Sequence, residues 1–144
     1  MNTTRNNKKV IWITGGGSGI GRELAKLFSK ADYKVIISGR RLLKLENVKH
    51  YNVKNIFPKK LDVTNRKNCH KVVNSILKEF GVPDIIILNA ATYKPGTLDD
   101  INTNDVERII NTNILGPINC YAPMLESMKK KGGQLIFVSS PAGF

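Results

Sequence analysis

Hydrophobic positions along this chain fall into two alternating rhythms. Five short runs are dense in Ile, Val and Leu: residues 8–14 (KKVIWIT), 34–38 (KVIIS), 55–62 (NIFPKKLD), 84–88 (DIIIL) and 134–139 (QLIFVS). Runs of this length and composition read as buried strands. The third is the weakest, because Pro58 cannot donate to a ladder and suits an edge strand better than a central one. Between the runs, apolar residues recur at helical spacing. Leu24, Leu27 and Phe28 do so after the first, RRLLKLENV after the second, and Val72, Val73, Ile76, Leu77 and Phe80 after the third. Gly81 and Pro83 close that third helix. A longer helical pattern covers residues 103–131, with a break expected near Gly116-Pro117. The cations Lys129, Lys130 and Lys131 stand before Gly132-Gly133, where positive charge suits a helix C-terminus.

The order β-α-β-α-β-α-β-α-β predicts an α/β fold, a doubly wound parallel sheet covered on both faces. No repeat, linker or low-complexity segment divides it, so residues 1–144 are expected to form a single domain. No crossover helix follows the fifth strand before Phe144, so that strand is expected to be an exposed edge.

Composition narrows the function classes. At 41% hydrophobic and 24% charged residues, the chain is neither disordered nor membrane-spanning in character. Met1 to Lys9 is polar and basic, unlike a secretory leader. Cys69 and Cys120 have no metal-ligand spacing and are too few for a disulfide framework, which suits a reducing, cytoplasmic setting. Net charge is +12. Residues 1–78 hold 18 Lys and Arg against 4 acids, and residues 79–144 hold 5 against 7. The lysines are scattered rather than blocked, so a solvated basic surface is a better reading than a nucleic-acid tail.

The chemistry-bearing segment is Thr14-Gly15-Gly16-Gly17-Ser18-Gly19-Ile20-Gly21, between the first strand and the first helix. A helix N-terminus offers unpaired N–H groups and partial positive charge, and glycines let its backbone approach a pyrophosphate. It is not a mononucleotide loop: after Gly16 and Gly21 come Arg22 and Glu23, not Lys and Ser/Thr. Nor does it meet Gly-x-Gly-x-x-Gly, since Ile20 takes the last place.

What it does match is Thr-Gly-x-x-x-Gly-Ile-Gly, and here the chain resembles the short-chain dehydrogenase/reductase family. Four further elements follow in the family's order: Leu61-Asp62-Val63, Asn89-Ala90-Ala91, Asn113 in Asn-Thr-Asn-Ile-Leu-Gly, and Ser139-Ser140-Pro-Ala-Gly. Leu88 and Ala91 depart from the usual Asn and Gly around Asn89. The family's Tyr-x-x-x-Lys is not present: tyrosines stand at 33, 51, 93 and 121, and none has Lys four residues later.

The resemblance implies a Rossmann-like fold, incomplete at the C-terminal side, and an oxidoreductase that moves hydride between a nicotinamide cofactor and a carbonyl or alcohol. It assigns Gly15, Gly17, Ser18, Gly19, Ile20 and Gly21 to the phosphates, Asp62 and Val63 to the adenine, and Asn89 and Ala90 to the cofactor ribose. It assigns Ser140 to the substrate carbonyl, and the carbonyl of Asn113 to a water in a proton relay. Gly39 stands where an NAD-preferring member carries an acid, and Arg40 follows it. NADP(H) is therefore expected over NAD(H), because arginine clamps a 2′-phosphate that an acid would repel. The residues themselves leave alternatives open: Asp62 as a cap, Asn89 as a partner for buried backbone, Asn113 as a helix kink, Ser140 as a turn residue. Without the tyrosine and lysine the 144-residue chain is expected to be nearly inactive, and a non-catalytic NADP(H)-binding protein or subunit is the alternative. The expected partner is a small carbonyl or alcohol, with no metal, nucleic acid or membrane. A homo-oligomer is expected of the full-length form.

Overall fold

The computed structural model describes residues 8–140. Five strands, β1 (Val10–Thr14), β2 (Lys34–Gly39), β3 (Ile56–Lys60), β4 (Ile85–Leu88) and β5 (Gln134–Phe137), form one sheet in the order β3-β2-β1-β4-β5. Every pairing is parallel: Trp12 faces Ile36 on one side and Ile86 on the other, and Ile87 faces Ile136. Pro58 lies in β3, an edge strand, as its missing N–H requires. β5 is the other edge, and Ile136 and Phe137 are exposed along it.

Strand side chains alternate between two cores, which is why the runs read as continuous rather than alternating hydrophobics. Val10, Trp12, Ile36, Ile86 and Leu88 face one cluster. It is filled by Cys69, Val72, Val73 and Ile76 of α3 (Arg66–Phe80), Cys120 of α5 (Gly116–Tyr121), and Met124 and Met128. Ile11, Ile13, Val35, Ile37 and Ile87 face the other, against Ala25 of α1 (Gly19–Lys30) and Leu45 and Val48 of α2 (Leu42–Lys49). Helices thus cover both faces. Trp12 satisfies its buried indole N–H on Ser38 Oγ at 2.9 Å.

The expected long helix over 103–131 is divided. α4 (Thr103–Ile110) runs into a π-helical turn, Asn111–Leu115, then α5, then a 3-10 turn, Ala122–Met124, and α6 (Leu125–Lys131). The break expected near Gly116-Pro117 falls one turn earlier, because a proline N–H is missing from the bond to the carbonyl four residues before it. Lys129, Lys130 and Lys131 occupy the last turn of α6, as their sequence position suggested.

Candidate functional site

All five strands point the same way, so their carboxyl ends share one edge, and the strand order reverses between β1 and β4. That is where open α/β sheets form a crevice. Thr14 ends β1 with its side chain buried. Its Oγ1 accepts the N–H of Asn89 (3.0 Å) and of Ala90 (3.1 Å). Asn89 reciprocates, donating from Nδ2 to the carbonyls of Thr14 (3.1 Å) and Gly15 (3.3 Å). Asn89 therefore satisfies backbone groups, and by doing so hangs the β4 turn on the glycine turn.

The glycine turn is pinned on its other flank by Gly16 N–H to Ser38 O at 3.0 Å. Gly15 has φ +69°, and a Cβ there would lie 2.9 Å from Ala90 Cα. A Cβ on Gly21 would lie 2.4 Å from the Gly15 carbonyl oxygen and 2.6 Å from Asn89 Nδ2. These glycines are what allow α1 to start directly on the strand end. Helix α1 begins at Gly19, five residues before Leu24, the first apolar residue of its helical pattern, with Ser18 as its N-cap. The Ser18 hydroxyl makes no capping bond and the first turn holds no acid, so the positive helix end keeps its charge.

In front of this turn lies a cleft of about 270 Å³. Gly15, Gly17 and Ser18 form one wall, and Gly39, Arg40, Arg41 and Lys44 the second. Leu61, Asp62 and Val63 form the floor, and Asn89, Ala90, Ala91 and Thr112 the remaining side. Of the residues singled out in the sequence, Gly15, Gly17, Ser18, Arg40, Asp62, Val63, Asn89 and Ala90 line this cleft together. Gly19, Ile20 and Gly21 build the helix start behind it, with Ile20 exposed and Gly21 buried.

The floor is braced from below. Leu61 N–H extends the β3 ladder onto Gly39 O at 2.9 Å. The Asp62 carboxylate accepts from Thr64 N–H (3.0 Å) and Thr64 Oγ1 (2.7 Å), closing its own turn. The cap of α3 is Asn65, which accepts Asn68 N–H at 2.9 Å, so the capping alternative for Asp62 is corrected. The Val63 carbonyl accepts from Asn119 Nδ2 at 3.0 Å. A Cβ on Gly116 would lie 2.7 Å from Val63 Cγ2, so α5 sits directly against the floor.

Asn113 falls in the π-helical turn, next to the cleft residue Thr112. Its side chain clamps the backbone of Thr92, accepting the N–H at 2.8 Å and donating to the carbonyl at 2.9 Å. The segment beyond β4 is thus fixed to the helix. Pro117 follows Asn113 by four residues, so no α-helical N–H exists there to occupy the Asn113 main-chain carbonyl. Ser140 lies three residues beyond β5, exposed, on the same sheet edge, outside the residues lining the cleft. Pairing with β4 extends past the strand through Val138 N–H to Leu88 O at 3.1 Å.

Lys44, Leu45 and Thr112 line the cleft without a role assigned to them from the sequence, and Leu61 lines it beside Asp62 and Val63 of its own element. For Lys44 the signal was present: three residues after Arg41, the N-cap of α2, it shares that helix's first turn. Among the described residues no group of three or more His, Cys, Asp or Glu could hold a metal, and no helix is long and apolar enough to cross a membrane.

Comparison with known proteins places this geometry in a family. The profile described as short chain dehydrogenase matches residues 9–144. An uncharacterized oxidoreductase of Listeria monocytogenes, Lmo0432, is 36% identical over 140 residues, covering 94% of this chain and 56% of that protein. Dehydrogenase/reductase SDR family member 7 of Mus musculus is 32% identical over 142 residues, covering 93% and 42%. The chain thus spans about half the length of the curated relatives it matches. Among solved structures, ElxO with NADP bound superposes with a TM-score of 0.86 at 37% identity, covering 94% of this chain and 57% of that one. An alcohol dehydrogenase from the archaeon Thermococcus sibiricus, complexed with 5-hydroxy-NADP, gives 0.87 at 26%, covering 92% and 58%. With the profile matched across all but the first eight residues, and the same sheet beneath it, this chain belongs to the short-chain dehydrogenase family.

Proposed function

We propose that this chain is the nucleotide-binding part of an oxidoreductase that uses NADP(H) in preference to NAD(H) and interconverts a carbonyl and an alcohol. The observation that carries the reading is the basic wall of the cleft. Arg40, Arg41 and Lys44 stand together there, Gly39 takes the place of an acid, and none of the ion pairs among the described residues involves these three cations. A phosphomonoester on a ribose is the ligand such a wall suits. The neighbours bound to NADP and 5-hydroxy-NADP support it.

The rest of the cleft fits the same ligand. Gly15 and Gly21 leave room for a pyrophosphate at the α1 N-terminus, and the Ser18 hydroxyl is available to it. Gly17 and the Gly19-Ile20 backbone complete that cradle. Asp62 offers a carboxylate to an adenine amino group, and Val63 an apolar surface to its ring. Asn89 and Ala90 hold the ribose side. A bound nicotinamide supplies or accepts the hydride. Asn113 holds a relay water at its main-chain carbonyl, and Ser140 steadies the substrate carbonyl oxygen. The proton-donating tyrosine and its lysine are not among these 144 residues, so the chain by itself binds cofactor without turnover. Its partners are then small carbonyl or alcohol molecules rather than nucleic acid or membranes. Its setting is the cytoplasm, and the full-length form is a homo-oligomer.

Titration of the purified chain with NADPH and NADH, followed by nucleotide fluorescence, tests the reading. NADPH should bind about tenfold tighter, the worth of one additional charge-assisted contact. Equal or tighter binding of NADH removes the NADP(H) assignment, and binding of neither removes the nucleotide reading.

A further inference from the structure

Residues 61–64, between β3 and α3, belong to no helix or strand, yet three of them form the floor of the cleft. A connecting segment of this kind is ordinarily among the more mobile parts of a fold. Here its main chain is held from two helices at once. Asn68, in the first turn of α3, accepts the Asp62 N–H on Oδ1 at 2.9 Å. Asn119 of α5 donates from Nδ2 to the Val63 carbonyl at 3.0 Å. The Cys69 thiol lies 3.6 Å from the carbonyl oxygens of Asp62 and Val63, but a thiol is a weak donor, so the amide of Asn119 is the principal tie. Neither asparagine lines the cleft itself.

What these ties hold in place is the Asp62 carboxylate, the sole acid among the residues lining the cleft. Its Oδ1 is taken up by Thr64, through the N–H and Oγ1. Among the described residues, no hydrogen bond or ion pair reaches its Oδ2. A carboxylate oxygen accepts and does not donate. It attracts an amino group on a base and repels a keto oxygen in the same place.

We propose that Asn68 and Asn119 are positioning residues for base recognition: they clamp the Asp62–Val63 segment at its two ends, so that Asp62 selects a purine with a 6-amino group over one with a 6-keto group. This deepens the nucleotide reading above and rests on it. The clamp supplies preorganisation. A loosely held carboxylate can swing to the ring N–H of a 6-keto purine and lose little. One fixed by its own main chain stays opposite position 6, where the keto oxygen is penalised. Both asparagines act through Asp62, without touching the nucleotide.

The basic wall is independent of this clamp. Arg41 caps α2 and Lys44 lies in it, and α2 packs against the opposite face of the sheet from α3 and α5. Selection of the base and selection of the 2′-phosphate are therefore separable.

Binding of NADPH, of its hypoxanthine counterpart and of NADH to the purified 144-residue chain, followed by reduced-nicotinamide fluorescence, tests the clamp. The wild-type chain should prefer NADPH to the hypoxanthine form by about tenfold, the worth of one charge-assisted hydrogen bond. Asn119→Leu and Asn68→Ala should each cut that preference to about threefold or less and leave the preference for NADPH over NADH unchanged. Asp62→Asn, whose amide can turn an N–H toward a keto oxygen, should erase the base preference. Asn68→Ala keeps the test decisive if Asn119→Leu does not fold, because alanine is the better helix former. A base preference undiminished in the folded asparagine variants would overturn the clamp. So would an equal fall in both preferences, which is general loosening, or a wild-type chain that binds NADPH and its hypoxanthine form alike. In each of these cases wild-type binding of NADPH leaves the nucleotide reading standing. A wild-type chain that binds none of the three nucleotides overturns that reading, and the clamp with it.

Discussion

At Gly21 the smallest possible side chain is too large. A methyl group there meets the Gly15 carbonyl oxygen at 2.4 Å, a backbone atom held in place by Asn89. Gly21→Ala should therefore cost about 1–3 kcal/mol of stability, as overpacking does, and weaken NADPH binding further by lifting α1 off the strand end. Urea denaturation and nucleotide titration read the two effects separately. At Arg40 the expectation is the reverse split. The side chain is exposed and forms none of the ion pairs seen among the described residues, so Arg40→Glu should leave stability within about 0.5 kcal/mol. NADPH affinity should drop at least about tenfold, with NADH affinity little changed. An equal loss for both nucleotides would place Arg40 away from the 2′-phosphate.

Between elements, two residues act as joints. Gly116 lets α5 rest on Val63, so Gly116→Ala should push α5 away from the floor and destabilise the chain by about 1–3 kcal/mol, measurable by thermal or urea melting. Asp84 joins three elements: it accepts the N–H of Val10 at the start of β1 (2.7 Å), precedes β4, and pairs with Lys131 at the end of α6 (3.0 Å). Burial alone would raise its pKa, but the Val10 hydrogen bond and the Lys131 ammonium outweigh it, and the net direction is downward. A carboxyl held below its unfolded value stabilises the fold above the ordinary carboxylate range, and that stability is lost as pH falls through the folded pKa. Asp84→Asn should thus cost about 1 kcal/mol at pH 7 and nothing once the wild-type carboxyl is protonated, so that the two denaturation curves converge in acid. The elements themselves were legible where burial on both sheet faces makes a strand uniformly apolar, and where Asn65 or Gly81 punctuates a helix. The π-helical turn was not, because a sequence repeat near 3.6 cannot distinguish a four-residue from a five-residue closure. Pro117 announced a break without saying which way the helix would give. The spacing put Lys44 on the same helix start as Arg41, but its place in the cleft depends on how α2 leaves β2. Asp62 was readable as a cleft residue by resemblance, but not as the closer of its own turn.

At the scale of the molecule, two groups among the exposed apolar side chains of the described residues lie on elements next to an open sheet edge or on the helices after β4. Ile110, Ile114, Leu115 and Ile118 lie on the helices after β4, and Ile136, Phe137 and Val138 lie along or just beyond β5. An open strand edge beside apolar side chains is a template for pairing between chains. Sedimentation of the 144-residue chain should show association that rises with concentration. The double change Ile114→Lys and Phe137→Lys should return it toward monomer; unchanged association would place the contact elsewhere.

The sheet order sets the first strand made at the centre of the finished sheet. β2 can join β1 soon after synthesis begins, but the opposite flank of β1 stays open until β4, about seventy residues later, leaves the ribosome. Chains are made at about 5–20 residues per second, so a half-sheet of β1, β2 and β3 persists for several seconds with one hydrophobic flank bare. During that interval the Thr14 hydroxyl and the Gly15 carbonyl have no Asn89 to hold them. The folded glycine turn therefore cannot form on a nascent chain shorter than about Ala90. A nucleotide bound there, as proposed, cannot guide the early steps of folding, and protection of that open flank in the cell falls to whatever binds unfinished chains.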